Sequence, residues 1–157
     1  MMRRSDKEIK NKETIQWVLK KAQVCRIALC DNNKPYIVPM NFGFDDNYLY
    51  LHSATEGQKM NILSKNRNIC FEVDIKNELV KSEIACDWGM KYYSVIGYGK
   101  VDFIDDIEEK KKVLDIIIEK YNENDLESIE YSKSSLNKVA IFRVEIEEIT
   151  GKKSGYS

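Results

Sequence analysis

Residue types that usually carry chemistry are scarce in this chain. Its 157 residues include one histidine, two prolines, seven glycines and four cysteines, and the cysteines form no C-x-x-C pair. A zinc site is therefore not expected, because such sites need several Cys or His ligands at short spacing. Cys25 and Cys30 lie on one predicted strand at an odd separation, which predicts opposite faces. Free thiols are typical of a reducing cytosol.

An excess of charge of one sign is also missing. Lys and Arg number 25 against 26 Asp and Glu, for a net charge of −1, and the signs interleave, as in "IEEKKKVLDIIIEK". This balance argues against nucleic acid or an anionic membrane as partner. No apolar run approaches a membrane span, and none follows the basic "MMRRSDKEIKNKE" start. We expect a cytoplasmic protein with one domain over residues 1–157, since 43% hydrophobic residues suffice for a core.

The apolar pattern predicts a mainly β fold. Alternation indicates six strands, over 24–30, 36–44, 48–53, 68–75, 90–104 and 138–152. Helical spacing indicates two longer helices, over 6–22 and 106–122. The strands mostly follow one another through short turns, which argues against a doubly wound sheet. We predict a small antiparallel barrel with flanking α-helices.

Proline and glycine positions refine this barrel. Pro39 cannot donate a ladder hydrogen bond, which predicts an edge strand or a bulge over 36–44. Gly97 and Gly99 lie on one face of a long strand, which predicts a bend or the close approach of another group.

The stretch "YLYLHSATEGQK", residues 48–59, holds the histidine, His52. Thr55 and Gln58 fit a capping box that starts a short helix reaching about residue 65. Ser53, Gly57 and Lys59 then form either a small anion cradle or a plain capped helix with an exposed lysine. By spacing alone, His52 is either structural or a ligand contact.

Two further features carry alternatives. Asn41 follows the irregular Pro39 position, where free backbone groups are able to hydrogen-bond a planar heterocycle, or the strand is a plain edge. The aromatic stretch 86–98 includes Trp88, Tyr92 and Tyr93, which stack on a ring, pack a subunit interface or fill the core.

The order of the motifs resembles one known family. "RIAL", "PYIVPMNFGF", "YLYLHSATEGQKMNIL", "NICFEVD" and "YYSVIGYGKVDFIDDIEEKKKVL" occur in the order found in pyridoxamine-5′-phosphate-oxidase-like split-barrel flavoproteins. The chain is most similar to their nitroimidazole-resistance branch. This resemblance covers residues 1–122. It implies a six-stranded FMN-binding split barrel and a homodimer with the flavin at the subunit interface.

The resemblance also implies roles for single residues. It implies that Ser53, Gly57 and Lys59 bind the FMN phosphate, and that Arg26 is a second contact to the phosphate or the ribityl chain. It places Met40 and Asn41 at the isoalloxazine edge and His52 near the flavin, as the catalytic candidate. The partner chain is expected to contribute the remaining residues, namely Cys86, Trp88, Tyr92, Tyr93 and Ser94.

The implied activity is reduction of small electron acceptors such as nitroaromatic compounds, with His52 supplying a proton or holding an acidic small molecule. The C-terminal "ITGKKSGYS" has neither Arg nor His, which argues against a true vitamin B6 oxidase. A haem role is disfavoured because no second histidine is present. Two alternatives to the reductase remain, a flavin-binding redox sensor or carrier without turnover and a structural dimer without ligand.

Overall fold

A computed structural model describes residues 4–122 and 130–156, and in this part of the chain one antiparallel sheet dominates. Six strands have seven residues or more, and two have only two residues. In chain order the strands are β1 Glu8–Ile9, β2 Cys25–Asp31, β3 Lys34–Met40, β4 Gly43–Phe44, β5 Tyr48–Ala54, β6 Asn68–Val80, β7 Gly89–Ile104 and β8 Val139–Ser154. The predicted mainly β, split-barrel fold is confirmed. β1 is additional to the six predicted strands. The prediction of one strand over 36–44 is wrong, because the chain there forms β3, which pairs with β2, and then β4, which pairs with β5.

Four helices accompany the sheet, α1 Lys12–Lys21, α2 Gln58–Leu63, α3 Ile107–Tyr121 and α4 Lys133–Asn137. The prediction of a helix from residue 6 is wrong for its first six residues. Asn11 is the N-cap of α1 and its side chain accepts from the Thr14 N–H at 3.1 Å, so the helix begins there. The preceding residues form a 3₁₀ turn and β1, which pairs with β8.

The hydrogen-bonded order is β3-β2-β6-β7-β8-β5-β4. Within the described residues β3 pairs only with β2. This confirms the edge position predicted from Pro39. The largest core cluster lies inside the sheet, and α1 adds Val18 and Leu19 to it. Cys25 points into this core while Cys30 is exposed, as their odd spacing predicted.

A second core cluster lies between α3 and the other face of the sheet. It consists of Tyr50 on β5, Ile104 on β7, Val113 and Ile117 on α3, and Ile141 on β8. Asp106 caps α3 by accepting from the Glu109 N–H at 2.9 Å. This packing fixes α3 across β4 and β5, so that the last turn of the helix lies beside His52.

The close approach predicted at the glycine pair is confirmed. A Cβ on Gly97 would lie 2.3 Å from Cζ of Phe71, the residue paired with Gly97 across β6 and β7. A Cβ on Gly99 would lie 2.0 Å from the carbonyl oxygen of Glu145, where the β7–β8 register shifts. Both positions therefore exclude a side chain.

No helix within the described residues is long and apolar enough to cross a membrane. The single-domain prediction over 1–157 extends beyond the described ranges and stays a prediction.

Candidate functional site

The candidate site begins where β5 ends and α2 starts. Gly57, not Thr55, is the N-cap of α2, so the predicted capping box is wrong. The reason is backbone conformation, since Gly57 has φ +114°, a value that residues with a side chain rarely adopt. A Cβ at Gly57 would meet no atom within 4 Å, so the space beside this backbone is open. The Ser53 hydroxyl donates to the Ala54 carbonyl at 2.8 Å.

Lys59 is the cation of this segment. Its Nζ lies 3.5 Å from Sδ of Met40, which joins the predicted phosphate segment to β3. Within residues 4–122 and 130–156 Lys59 forms no ion pair. Partial burial lowers the pKa of Lys59 from its ordinary value. The lysine is thus a half-buried cation held beside a thioether, without a carboxylate to neutralise it.

His52 lies on the wall of a cavity of about 400 Å³. The other lining residues are Asn41, Ile117, Ile118, Tyr121 and Asn122. Burial lowers the pKa of His52, and the nearby Lys59 charge lowers it further. The imidazole is therefore neutral at pH 7. The structure thus brings together Asn41, His52, Met40 and Lys59, all four predicted from the sequence.

Tyr121 is a site residue that the sequence did not single out for function. Its hydroxyl accepts from the Phe42 N–H at 3.0 Å and donates to the Gln23 carbonyl at 2.9 Å. These bonds tie the last turn of α3 to the chain leaving β3. The helical period placed Tyr121 on the apolar side of α3, and no local signal connected it with His52, which is about 70 residues away in the chain.

Arg26 lies apart from this cluster. It points to the outer face of the sheet, and its guanidinium binds the carboxylates of Glu72 at 3.1 Å and Asp74 at 2.5 Å. Ser94 is on the same face and donates to Glu72 at 3.2 Å. Met40 pairs with Cys25 and shares its inward face, so Arg26 and Met40 point to opposite sides. The structure does not bring Arg26 into contact with Ser53, Gly57 or Lys59.

The aromatic stretch forms a third region at the connection from β6 to β7. Cys86 and Trp88 are exposed there, and Trp88 Nε1 donates to the Ser82 carbonyl at 2.7 Å. Tyr92 and Tyr93 point to opposite faces of β7, as neighbours on a strand must. Tyr93 contacts Trp17 edge-on at 5.2 Å between ring centroids and stacks on Tyr156 at 5.0 Å.

The described residues do not form a metal site. Residues 4–122 and 130–156 contain no group of three or more His, Cys, Asp or Glu side chains placed to hold a metal ion. The site is instead a small polar and apolar cavity beside a half-buried cation.

The fold is an antiparallel split barrel. Lys59 and the cavity lined by His52 and Asn41 lie where β5 leads into α2. The sequence model of the family described as pyridoxamine 5′-phosphate oxidase matches residues 11–153. The chain belongs to this family. No curated protein matches the chain.

Solved structures are similar over most of the chain. A candidate 5-nitroimidazole antibiotic resistance protein from Bacteroides thetaiotaomicron VPI-5482 is 36% identical, with a TM-score of 0.82 over 92% of this chain and 85% of that one. The flavocytochrome Anf3 from Azotobacter vinelandii is 19% identical, with a TM-score of 0.86 over 99% of this chain and 73% of its own. An FAD and heme binding protein from Mycobacterium smegmatis is 18% identical, with a TM-score of 0.85 over 96% and 74%. The last two show the fold alone.

Proposed function

We propose that the chain binds a flavin, specifically FMN, and that Ser53, Gly57 and Lys59 hold its phosphate. The observation that carries this proposal is the state of Lys59, a half-buried cation without an ion pair in the described part of the chain. A buried charge is costly unless it is neutralised, and a phosphate would do so. The open space beside Gly57 leaves room for a phosphate close to the backbone.

Other residues near Lys59 fit the remainder of a flavin. Met40 contacts Lys59 directly, and Asn41 follows Met40 on the chain and lines the cavity with His52. An amide side chain offers both donors and an acceptor for the polar edge of a planar heterocycle. FMN rather than FAD is proposed because Gly57 and Lys59 offer one open backbone position and one cation, which suit a single terminal phosphate.

The proposed activity is reduction of a small acceptor. Family membership and the relative from B. thetaiotaomicron support it, and a nitroaromatic compound is the representative acceptor. When bound, a flavin would supply two electrons taken from a nicotinamide or another donor, and with two protons from the solvent these would reduce a nitro group to a nitroso group: R–NO₂ + 2e⁻ + 2H⁺ → R–NO + H₂O. The chain's own role is to orient the acceptor and exclude water from it.

The lowered pKa of His52 supports a third role, in place of the two that the resemblance suggested. A neutral imidazole holds no proton ready for release near pH 7, and it carries no charge with which to bind an acid. Its ring N–H is able to donate a hydrogen bond to an oxygen of the acceptor. We therefore assign His52 to positioning the acceptor by this hydrogen bond.

A homodimer is part of the proposal. Ile37, Ala28, Cys70 and Tyr98 form a row across four strands, because each is paired with the next. We call the face that carries this row the outer sheet face. Ile37 is 62% exposed and Tyr98 is 51% exposed. These exposed apolar side chains support self-association. The proposal includes that the 86–94 stretch of one copy contacts the flavin of the other.

The proposed location is the cytoplasm. The four cysteines all have free thiols in the structure. Free thiols persist in reducing compartments, which supports this location.

The test of FMN binding compares Lys59→Ala with Lys65→Ala, using FMN and riboflavin as ligands. Lys65 is an exposed lysine just after α2 and serves as the matched control. A charge-assisted hydrogen bond contributes about 1.5–3 kcal/mol, so Lys59→Ala should weaken FMN binding by roughly 10- to 150-fold. Riboflavin has no phosphate, so its affinity should not change. Equal FMN affinity in Lys59→Ala and the unaltered protein would remove the phosphate assignment.

The reductase activity has a separate test. Purified protein should be yellow and release FMN on denaturation, and it should sustain NAD(P)H oxidation when a nitroaromatic acceptor is present. A single reduction event without sustained flux would instead indicate the sensor or carrier.

A further inference from the structure

The cavity beside His52 has a composition that selects among acceptors. Among the residues that the structure describes, its lining contains no Asp, Glu, Lys or Arg, although these residues make up 32% of the chain. We propose that this cavity binds an uncharged acceptor with a hydrogen-bond-accepting oxygen, and that Ile118 on α3 determines this specificity. The inference rests on the proposed flavin function and names the acceptor class for the same site.

Hydrogen bonding in the cavity points to His52 as the group that meets the acceptor. Within the described residues the His52 ring has no hydrogen-bond partner, although it is half-buried. The Tyr121 hydroxyl is already bonded to Phe42 and Gln23, which holds its ring in place. The Asn41 amide lines the same cavity and offers both donors and an acceptor. An acceptor oxygen therefore finds His52 unpaired and Asn41 beside it.

The electrostatics around the cavity disfavour an anion. His52 and Tyr121 are both neutral at pH 7, because burial lowers the pKa of the first and raises the pKa of the second. The cavity adjoins the C-terminal turn of α3, a 15-residue helix whose exposed carbonyls make this end negative. Two lysines lie nearby. Lys59 lowers the pKa of His52, and in the FMN-loaded protein the phosphate would neutralise its charge. Lys120 has its Nζ 5.1 Å from the Tyr121 ring centroid and already donates to the carbonyls of Lys20 and Ala22. An added carboxylate would then face the negative end of α3.

Two isoleucines, Ile117 and Ile118, form the apolar wall of the cavity. They differ in how much a substitution would disturb the core. Ile117 is 3% exposed and belongs to the second core cluster, so its replacement would destabilise the fold. Ile118 is only half-buried and lies outside that cluster, and its carbonyl accepts the Asn122 N–H at 2.9 Å. Ile118 is therefore the wall residue that can be substituted to change the polarity of the cavity without disrupting the second core cluster.

The experiment uses the FMN-loaded protein and two probes of nearly equal shape, 4-nitrobenzamide and 4-nitrobenzoate. Binding is measured by calorimetry and by the shift of the His52 ring signals in NMR, which need no turnover. We expect the amide to bind about tenfold or more tightly than the carboxylate and to shift the His52 signals. Equal binding of the two probes, or amide binding without a His52 shift, would overturn the inference.

A variant tests the role of Ile118 directly. Ile118→Lys should remove or reverse the preference for the amide, since it adds a cation to the wall. Glu119→Lys, on the same turn but outside the cavity lining, is the control and should leave the preference in place. If both variants change the preference equally, or if neither does, Ile118 is not the specificity residue.

Failure of this inference is distinguishable from failure of the proposed function. Protein that binds FMN through Lys59 but does not discriminate between the probes contradicts the inference alone. Protein that does not bind FMN contradicts both.

Discussion

Replacing Gly97 with alanine should destabilise the protein through one identified collision. The new Cβ would lie 2.3 Å and 2.4 Å from two carbons of the Phe71 ring, whereas carbon atoms pack at about 3.5–4.0 Å. Phe71 is fully buried, so its ring has no solvent into which to turn. The overlap exceeds 1 Å, which places the cost at the upper end of ordinary overpacking, about 3 kcal/mol.

The assay for Gly97→Ala is thermal and urea unfolding at constant protein concentration and constant flavin content. For a chain of this length, about 3 kcal/mol corresponds to a fall in Tm of roughly 6–12 °C. Gly89→Ala is the matched control, because a Cβ there would meet no atom within 4 Å. Its free energy of unfolding should stay within about 0.5 kcal/mol of the original.

A double-mutant cycle identifies the cause of the destabilisation. Phe71→Leu removes the ring, so Gly97→Ala should cost less in that background, with a coupling energy of about 1–3 kcal/mol. Simple additivity of the two changes would refute the collision. So would a Gly97→Ala protein as stable as Gly89→Ala.

The remaining predictions concern His52 and the outer sheet face. NMR titration of His52, the one histidine in the chain, should give a pKa below its ordinary value of 6.5. Lys59→Ala should raise the pKa of His52, because it removes a nearby positive charge. A titration midpoint at or above 6.5 in the flavin-free protein would contradict the structure. Because the unfolded chain binds this proton more tightly, the contribution of His52 to the free energy of unfolding should fall as pH drops below 6.5 toward the folded-state pKa, and His52→Gln should abolish that dependence. Sedimentation should show a dimer that Tyr98→Asp converts to monomer, with Lys112→Asp on the exposed side of α3 as the control; a Tyr98→Asp dimer would contradict the proposed interface.

Several parts of the fold were predictable because their signals are local. Alternating apolar residues located the six long strands, since a strand with one buried face repeats every two residues. Pro39 indicated an edge, and Gly97 and Gly99 indicated a close approach, because each restricts its own backbone or leaves room beside it. β1 and α4 were missed, and β4 was merged with β3 into one predicted strand, because two to five residues carry too little periodic signal.

The start of α2 shows where a local rule failed. Thr55 and Gln58 satisfy the capping-box spacing, yet the helix begins after Gly57. The competing local choice is the φ of +114° at Gly57, which a glycine adopts at little cost. Spacing alone does not rank these two alternatives.

The sequence by itself determined the strands, their alternation of faces and the content of the segment that carries His52 and Lys59. Only the tertiary structure decided which of the candidate residues meet. It placed Arg26 on the outer sheet face, away from Lys59, and it brought Ile118 of α3 beside His52 and Asn41. The physical reason is that the packing of α3 across the sheet depends on the second core cluster. That cluster joins residues from β5, β7, α3 and β8, whose mutual contact no short stretch of sequence contains.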